Sequence, residues 1–287
     1  MLLAVAIWAS AYIKVKDTLL QLPPNTIAFM TFLVAGIPLG LYLLFTKQPK
    51  IKKSDWIRLA FCGLTGFSLY EGLQNTALQY AGPTDAAILT CMSPVFIALL
   101  AWLLLKEKIS KGQTLGIIIA FVGSVVVATS GSLTGLAVNP QRIYGDALLI
   151  LSGMSWALYC IKIKPLLEAY PETTVLAYTN FAGALFLLPM CIGDMRTIHL
   201  ASVNLSGWLN ILYLGLCVQA LAYLLWNLAY SRVKTLTAAA YVYLIPVLTA
   251  IMSTIYYKQL PGWATIIGGG IVILGTIIST NMTKSKK

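Results

Sequence analysis

Ten apolar runs, at 2–20, 25–46, 57–80, 84–105, 112–130, 143–164, 173–193, 206–230, 235–257 and 262–281, take up nearly all of this 287-residue chain. Each is close to the roughly 20 residues a helix needs to cross a hydrocarbon core about 30 Å thick. Backbone amides in lipid find no water, so such runs satisfy themselves as helices. The period-two alternation of a lipid-facing barrel strand is absent. Composition agrees: 59% of residues are hydrophobic and 10% charged, against about a quarter charged in a soluble domain. The connections are too short for a separate soluble domain. The first run lacks a basic leader segment and reads as a retained helix rather than a cleaved signal.

The formal charge of +11 does not point to nucleic acid, because the charge is sorted. Fifteen of the 20 Lys and Arg fall on one side of the alternating spans, the side of the N-terminus; Lys14, Lys16, Arg142, Arg196 and Lys258 fall on the other. An excess of basic residues marks the cytoplasmic side, which places both termini in the cytoplasm of a multi-pass protein of the cytoplasmic membrane. The five cysteines lie inside apolar runs without CxxC spacing and read as small buried hydrophobes. The single histidine, His199, is assigned to an outer loop. Neither a metal site, a cofactor motif, a phosphate-binding loop nor a nucleophile–base pair is visible, so the chain reads as a non-enzyme that does not itself hydrolyse ATP.

The chain also contains itself twice. Asn75 recurs as Asn227, Ala77 as Ala229, Ala86-Ala87 as Ala238-Ala239, Pro94-Val95 as Pro246-Val247, and Gly116 and Gly123 as Gly268 and Gly275, each 152 positions on. Trp8-Ala9 recurs as Trp156-Ala157, and Lys14 as Lys162, with a spacing of 148. The copies cover 1–135 and 140–287. Five spans per copy is an odd number, so the second copy is inverted relative to the first. The fold class expected is an all-α membrane protein: ten transmembrane helices as two inverted five-helix repeats, an arrangement that places a binding site between the halves. The paired glycines, seven apart, suit close helix packing. Pro94 and Pro246, inside the fourth and ninth spans, are expected to kink them and leave the carbonyls of Thr90 and Val242 partly free.

Glu71 is the acidic residue deep in a span. A carboxylate there costs about 2.5 kcal/mol or more, so its presence points to function; a structural glutamate, paired or protonated, is the alternative. Helical spacing puts Gly63, Leu64, Phe67, Glu71, Asn75 and Leu78 on one face. The repeat maps Glu71 onto Tyr223. Lys14 lies at a similar depth, about 20 Å along the first helix, and a Lys14–Glu71 ion pair is one expectation; snorkelling of Lys14 to the outer interface is the other. Trp8, Tyr12, Trp156, Tyr159, Tyr223, Trp226, Tyr241 and Tyr243 lie within spans, where aromatic rings line pockets or pack. Such a pocket suits amino acids or small organic cations.

These segments, in order, resemble the EamA family of the drug/metabolite transporter superfamily over the whole chain. The resemblance rests on Ile7-Trp8-Ala9-Ser10-Ala11-Tyr12, Leu22-Pro23-Pro24, Ala77-Leu78-Gln79-Tyr80, Ser93-Pro94-Val95-Phe96, Leu103-Leu104-Leu105-Lys106-Glu107 and Trp156-Ala157-Leu158-Tyr159. It implies ten helices in inverted repeats, a central cavity, and transport of amino acids or other small metabolites, often outward. The chain departs from the family pattern at Thr31, Glu71 and Gln259.

The reading that follows is an alternating-access carrier that exports amino acids or related metabolites. Glu71, Asn75, Trp8, Tyr12, Trp156, Tyr159, Tyr223, Asn227, Tyr241 and Tyr243 form its substrate site. Its partners are a small-molecule substrate, the lipid bilayer and, in one version, a proton; the chain is a monomer or homodimer. The alternative is proton-coupled efflux of organic cations through Glu71. A non-transporting scaffold or lipid-binding protein is a third, of a different class.

Overall fold

A computed structural model describes residues 1–80, 86, 89–90, 93–104, 106, 109–128, 140–195, 200, 203–258 and 263–281. The helices are α1 (Leu2–Thr18), α2 (Pro24–Phe45), α3 (Lys53–Gly63), a π-helical stretch π1 (Leu64–Leu69), α4 (Tyr70–Ala77), α5 (Ser93–Leu104), α6 (Lys111–Ala128), α7 (Pro140–Ala169), α8 (Glu172–Met195), α9 (Leu205–Tyr213), a second π-helical stretch π2 (Leu214–Ala222), α10 (Tyr223–Tyr230), α11 (Thr235–Val242), α12 (Leu244–Tyr257) and α13 (Trp263–Asn281). No strand occurs among the described residues.

Five helical rods are long and apolar enough to cross a membrane: Pro24–Phe45, Ile143–Ala169, Glu172–Asp194, Leu205–Tyr230 and Thr235–Tyr256. Their outward faces carry large apolar side chains such as Leu33, Ile37 and Leu44, the pattern of a multi-pass membrane protein. The expected ten spans go further than this. Helix α1 has 17 residues. The rod from α3 to α4 carries Lys53, Asp55, Arg58 and Glu71, and much of the fourth run, like His199, lies outside the described residues. The sixth run is longer than expected, 30 residues with Pro165 inside it.

The two π-helical stretches fall at matching places in the two sequence copies. A π-turn takes one extra residue and rotates everything beyond it. The single face expected from Gly63 to Leu78 is therefore split. Gly63 packs on Ala182 and Gly183, where an added Cβ would sit 2.5 Å from the Ala182 methyl. Phe67 stacks near Tyr159 and Tyr223. Past π1, Glu71, Asn75 and Leu78 turn to a different neighbourhood together with Tyr70 and Gln74. The carbonyls of this distorted stretch are satisfied from the second half of the chain: Ser155 Oγ donates to Thr65 (2.7 Å), Tyr223 to Gly66 (3.4 Å) and Ser152 to Tyr70 (3.0 Å). Hydroxyls thus replace the water that lipid cannot supply.

Helices α6 and α13 cross backbone to backbone at the paired glycines. A Cβ on Gly116 would lie 2.7 Å from the carbonyl oxygen of Gly275, and one on Gly123 would lie 2.8 Å from that of Gly268. The first glycine of one copy thus meets the second glycine of the other, and the converse holds too. Lys106 (φ 53°) and Lys258 (φ 55°) adopt left-handed backbone, at the same 152-residue spacing; Lys258 caps α12 in this conformation.

Candidate functional site

The cavity at the centre of the molecule is built where α1, α2, α4, α7, π2 and the α11–α12 junction converge. At its floor, Trp8 stands edge-on to Trp156 with ring centroids 5.5 Å apart. Tyr70 and Tyr223 pack on this pair, with centroids 5.0 Å from Trp156 and 5.2 Å from Trp8. Above the floor the walls carry Glu71, Gln74, Asn75, Thr90, Ser93 and Gln219. Val15, Ile27 and Leu78 complete the wall near the ends of their helices, so the cavity extends toward the α1–α2 connection.

Below the floor the structure is closed. Trp226, Tyr159 and Tyr230 are fully buried; Trp226 stacks on Tyr230 with centroids 6.0 Å apart, and the Tyr159 hydroxyl donates to Asn227 Oδ1 at 3.3 Å. Farther along, Lys164 Nζ donates to the Val233 carbonyl (2.9 Å), and Tyr170 donates to Asp55 (2.8 Å), which also pairs with Arg58. These contacts tie helix ends together on the side away from the cavity.

Glu71 is placed by the first turn of α4. Its Oε1 accepts from the Tyr223 hydroxyl at 3.4 Å. Tyr12 donates to Gln74 Oε1 at 3.4 Å. Asn75 Nδ2 faces the Pro24 carbonyl at 3.5 Å, leaving Asn75 Oδ1 buried without a partner. Gln219, in π2, has its Nε2 3.4 Å from Asn180 Oδ1, and Gln219 Oε1 is likewise buried and unmet. So is the indole nitrogen of Trp8.

Of the residues singled out by sequence, Trp8, Tyr12, Glu71, Asn75, Trp156 and Tyr223 line this cavity. Others do not. Tyr159 and Asn227 lie in the closed layer beneath. Tyr243 packs in a separate apolar cluster with Ala98, Ala101, Ile161 and Val247, and Val242 and Ile245 take the lining positions expected of Tyr241 and Tyr243. The reason is local: Pro246 has no N–H for the Val242 carbonyl, and the helix is interrupted at Tyr243 rather than bent. Pro94 is the second described residue of α5, and the Thr90 carbonyl before it is taken by Ser93 Oγ at 2.6 Å; the kink expected there adjoins residues 91–92, which lie outside the described residues.

The expected Lys14–Glu71 pair is not formed. Lys14 turns to the outer face of α1, its Nζ 5.0 Å from the centre of the Tyr256 ring, while Glu71 faces Tyr223. Lys16 donates to the Leu78 carbonyl at 2.6 Å. Thr90 and Val242, whose carbonyls the prolines are expected to free, both line the cavity, while Gln74, Ser93 and Gln219 are additions to the expected set; Gln219, an amide in the middle of an apolar run, carried the readable signal.

The family model of EamA-like transporters matches residues 1–129 and again 143–281. A protein of Archaeoglobus fulgidus named as an uncharacterized transporter is 32% identical over 97% of this chain and 95% of its own length. A Streptantibioticus cattleyicolor protein named as a probable terminal-alkyne amino-acid exporter is 26% identical over 100% of this chain and 94% of its own. The Bacillus subtilis transporter YyaM is 27% identical over the same shares. A crystal structure 19% identical in sequence superposes with a TM-score of 0.80, covering 99% of this chain and 95% of the other, which establishes a shared fold. With two matching halves and a relative of this identity along nearly its whole length, the chain belongs to the EamA-like transporter family.

Proposed function

We propose that this protein is a secondary, alternating-access transporter that exports small amine-bearing metabolites, amino acids and their relatives, across the cytoplasmic membrane. The observation that carries this reading is Glu71: a half-buried acidic group beside Tyr223 in an aromatic-walled cavity lined by both sequence halves, with no ion pair among the described residues. The sorting of basic residues supports an orientation with the closed layer of Trp226, Tyr159 and Tyr230 on the cytoplasmic side and the cavity toward the exterior. Ten helices in inverted repeats would let the same layers exchange roles, so that the site opens to each side in turn. The contacts Gly116–Gly275 and Gly123–Gly268 support that inverted relation, because corresponding helices that cross antiparallel pair their positions crosswise, as a two-fold axis between the copies requires. One relative's name, an amino-acid exporter, supports the substrate class.

A second reading, exchange of a proton for a cationic substrate at Glu71, is favoured by one detail. Among the described residues the carboxylate accepts from a single hydroxyl, which also lies near the Gly66 carbonyl, an arrangement in which it can trade a proton for a ligand. Flux of an amine and amino-acid panel into proteoliposomes, with and without a pH gradient, tests both. Flux that needs Glu71 supports the transporter; a dependence on the gradient that disappears in Glu71→Gln adds the proton. Absence of flux for every solute removes the proposal.

A further inference from the structure

We propose that the cavity selects primary ammonium or guanidinium cations that carry no carboxylate, and that Gln219 is a residue that sets this selectivity. The inference rests on the transporter reading above and narrows it, setting free amines apart from zwitterionic amino acids.

The argument turns on which way the polar groups of the lining point. The Phe32 carbonyl can only accept, so Asn180 must present Nδ2 to it, as it does at 3.1 Å. Asn180 Oδ1 then faces Gln219 and requires Nε2 there. Gln219 Oε1 is left over, a hydrogen-bond acceptor on a side chain with no exposed surface. The Pro24 carbonyl orients Asn75 in the same way and leaves Asn75 Oδ1 as an acceptor. Two buried amides, Asn75 oriented by a main-chain carbonyl and Gln219 oriented through Asn180, thus offer oxygen rather than nitrogen.

The hydroxyls follow suit. Thr31, Thr90 and Ser93 donate their protons to the carbonyls of Ile27, Ala86 and Thr90, so each has only lone pairs to give a ligand. With Glu71 these acceptors outnumber the donors of the lining, Gln74 Nε2 and Trp8 Nε1, and the site is walled by the aromatic faces of Trp8, Tyr70, Trp156 and Tyr223. A primary ammonium brings three donors and a guanidinium five, and either gains from the ring faces.

A carboxylate on the same ligand fares differently. No lysine, arginine or histidine is among the described residues lining the cavity. Lys14 is turned away on the lipid-facing side, and Lys16 is engaged at the Leu78 carbonyl. The carboxylate would lose its water without gaining a cation and would meet lone pairs, an arrangement that is costly in a buried site. Trp8 Nε1 is an unmet donor suited to a neutral oxygen, such as that of an amide or alcohol.

The test is competition for flux in proteoliposomes of the full-length protein, using pairs that differ only in the carboxylate: phenethylamine against phenylalanine, and isoamylamine against leucine. Each amine is expected to compete at a concentration about tenfold or more below its amino acid, the equivalent of one unmet buried group. Gln219→Leu is expected to weaken the amine about fivefold or more and to weaken the amino acid less, because the lost oxygen also opposes a carboxylate, so that the ratio between them narrows. That ratio is taken within one preparation, so loss of folded protein cancels from it. Amino acids competing as well as their amines would overturn the proposal and leave the transporter reading standing. An unchanged ratio in Gln219→Leu would overturn the role of Gln219. Flux of neither series would overturn both readings.

Discussion

Glu71 and Tyr223 stand 152 residues apart, the spacing of the sequence repeat, and they touch: the tyrosine hydroxyl lies 3.4 Å from the glutamate Oε1. Trp8 and Trp156, repeat counterparts at a spacing of 148, also meet, with ring centroids 5.5 Å apart. Counterparts related by a two-fold axis touch only where the axis runs, so under the proposed inverted-repeat reading the centre of the cavity lies on that axis. There the copies differ, one supplying a carboxylate and the other a phenol.

Replacing Glu71 with Gln keeps the shape and removes the charge. Amine flux is expected to fall at least about tenfold, because hydrogen bonds to a charged group are worth about 1.5 to 3 kcal/mol, while the detergent-extracted protein elutes as the wild type does. Tyr223→Phe removes only the hydroxyl and is expected to cost about two- to fivefold. In the double variant the two effects are expected not to add, since the residues act through one contact. Initial rates across the four proteins measure this; full additivity would mean that the contact does not operate in transport.

At the α6–α13 crossing, any side chain on Gly275 collides with main chain: a Cβ would sit 2.4 Å from Ala120 N and 2.7 Å from Gly116 O. Gly275→Ala is expected to destabilise by about 1 to 3 kcal/mol, as overpacking does. Gly193 and Gly270 have nothing within 4 Å of the same position, and Gly→Ala at either is expected to be neutral or slightly stabilising. Thermal unfolding of the three variants side by side gives the comparison, and equal midpoints would contradict the tight crossing.

The closed layer predicts an asymmetry in access. In a background without native cysteines, Gln74→Cys is expected to react with a membrane-impermeant maleimide added outside cells, and Asn227→Cys, under the Trp8–Trp156 floor, is expected to resist it. Labelling of Asn227→Cys from the exterior as fast as Gln74→Cys would show that the floor does not seal.

Lys14 offers a control. Because it lies over Tyr256 and not against Glu71, Lys14→Gln is expected to keep amine flux within about twofold of wild type, the scale of an exposed cation–π contact of roughly 0.5 kcal/mol. A loss as large as that of Glu71→Gln would restore the ion pair that the structure does not contain.

The helices and the repeat were legible because they rest on periodic signals: apolar runs of membrane length and paired glycines and prolines at one spacing. Trp8, Glu71 and Tyr223 stood out because polar or amphipathic residues are conspicuous in such runs. Three things were hidden. The π-helical stretch at Leu64–Leu69 has no signature in the order Leu-Thr-Gly-Phe-Ser-Leu, yet it rotates the second half of the rod and brings Tyr70 and Gln74 to the cavity. The break at Tyr243 exchanges Tyr241 and Tyr243 for Val242 and Ile245, because proline marks the site of a disruption without saying whether the helix bends or stops. The orientation of Gln219 is set by Asn180 and the Phe32 carbonyl, on α8 and α2, and no local pattern records a relay across three helices.

The crosswise glycine contacts bear on ancestry. A helix surface that fits its own copy turned end over end needs no second surface to bind. A half-length chain bearing the Gly116 and Gly123 helix would already own both sides of the seam, and two such chains inserted in opposite senses could have paired before any gene fusion joined them. On the inverted-repeat proposal, fusion would release the centre from identity: with the copies as separate stretches of one gene, the position on the axis is free to be glutamate in one and tyrosine in the other.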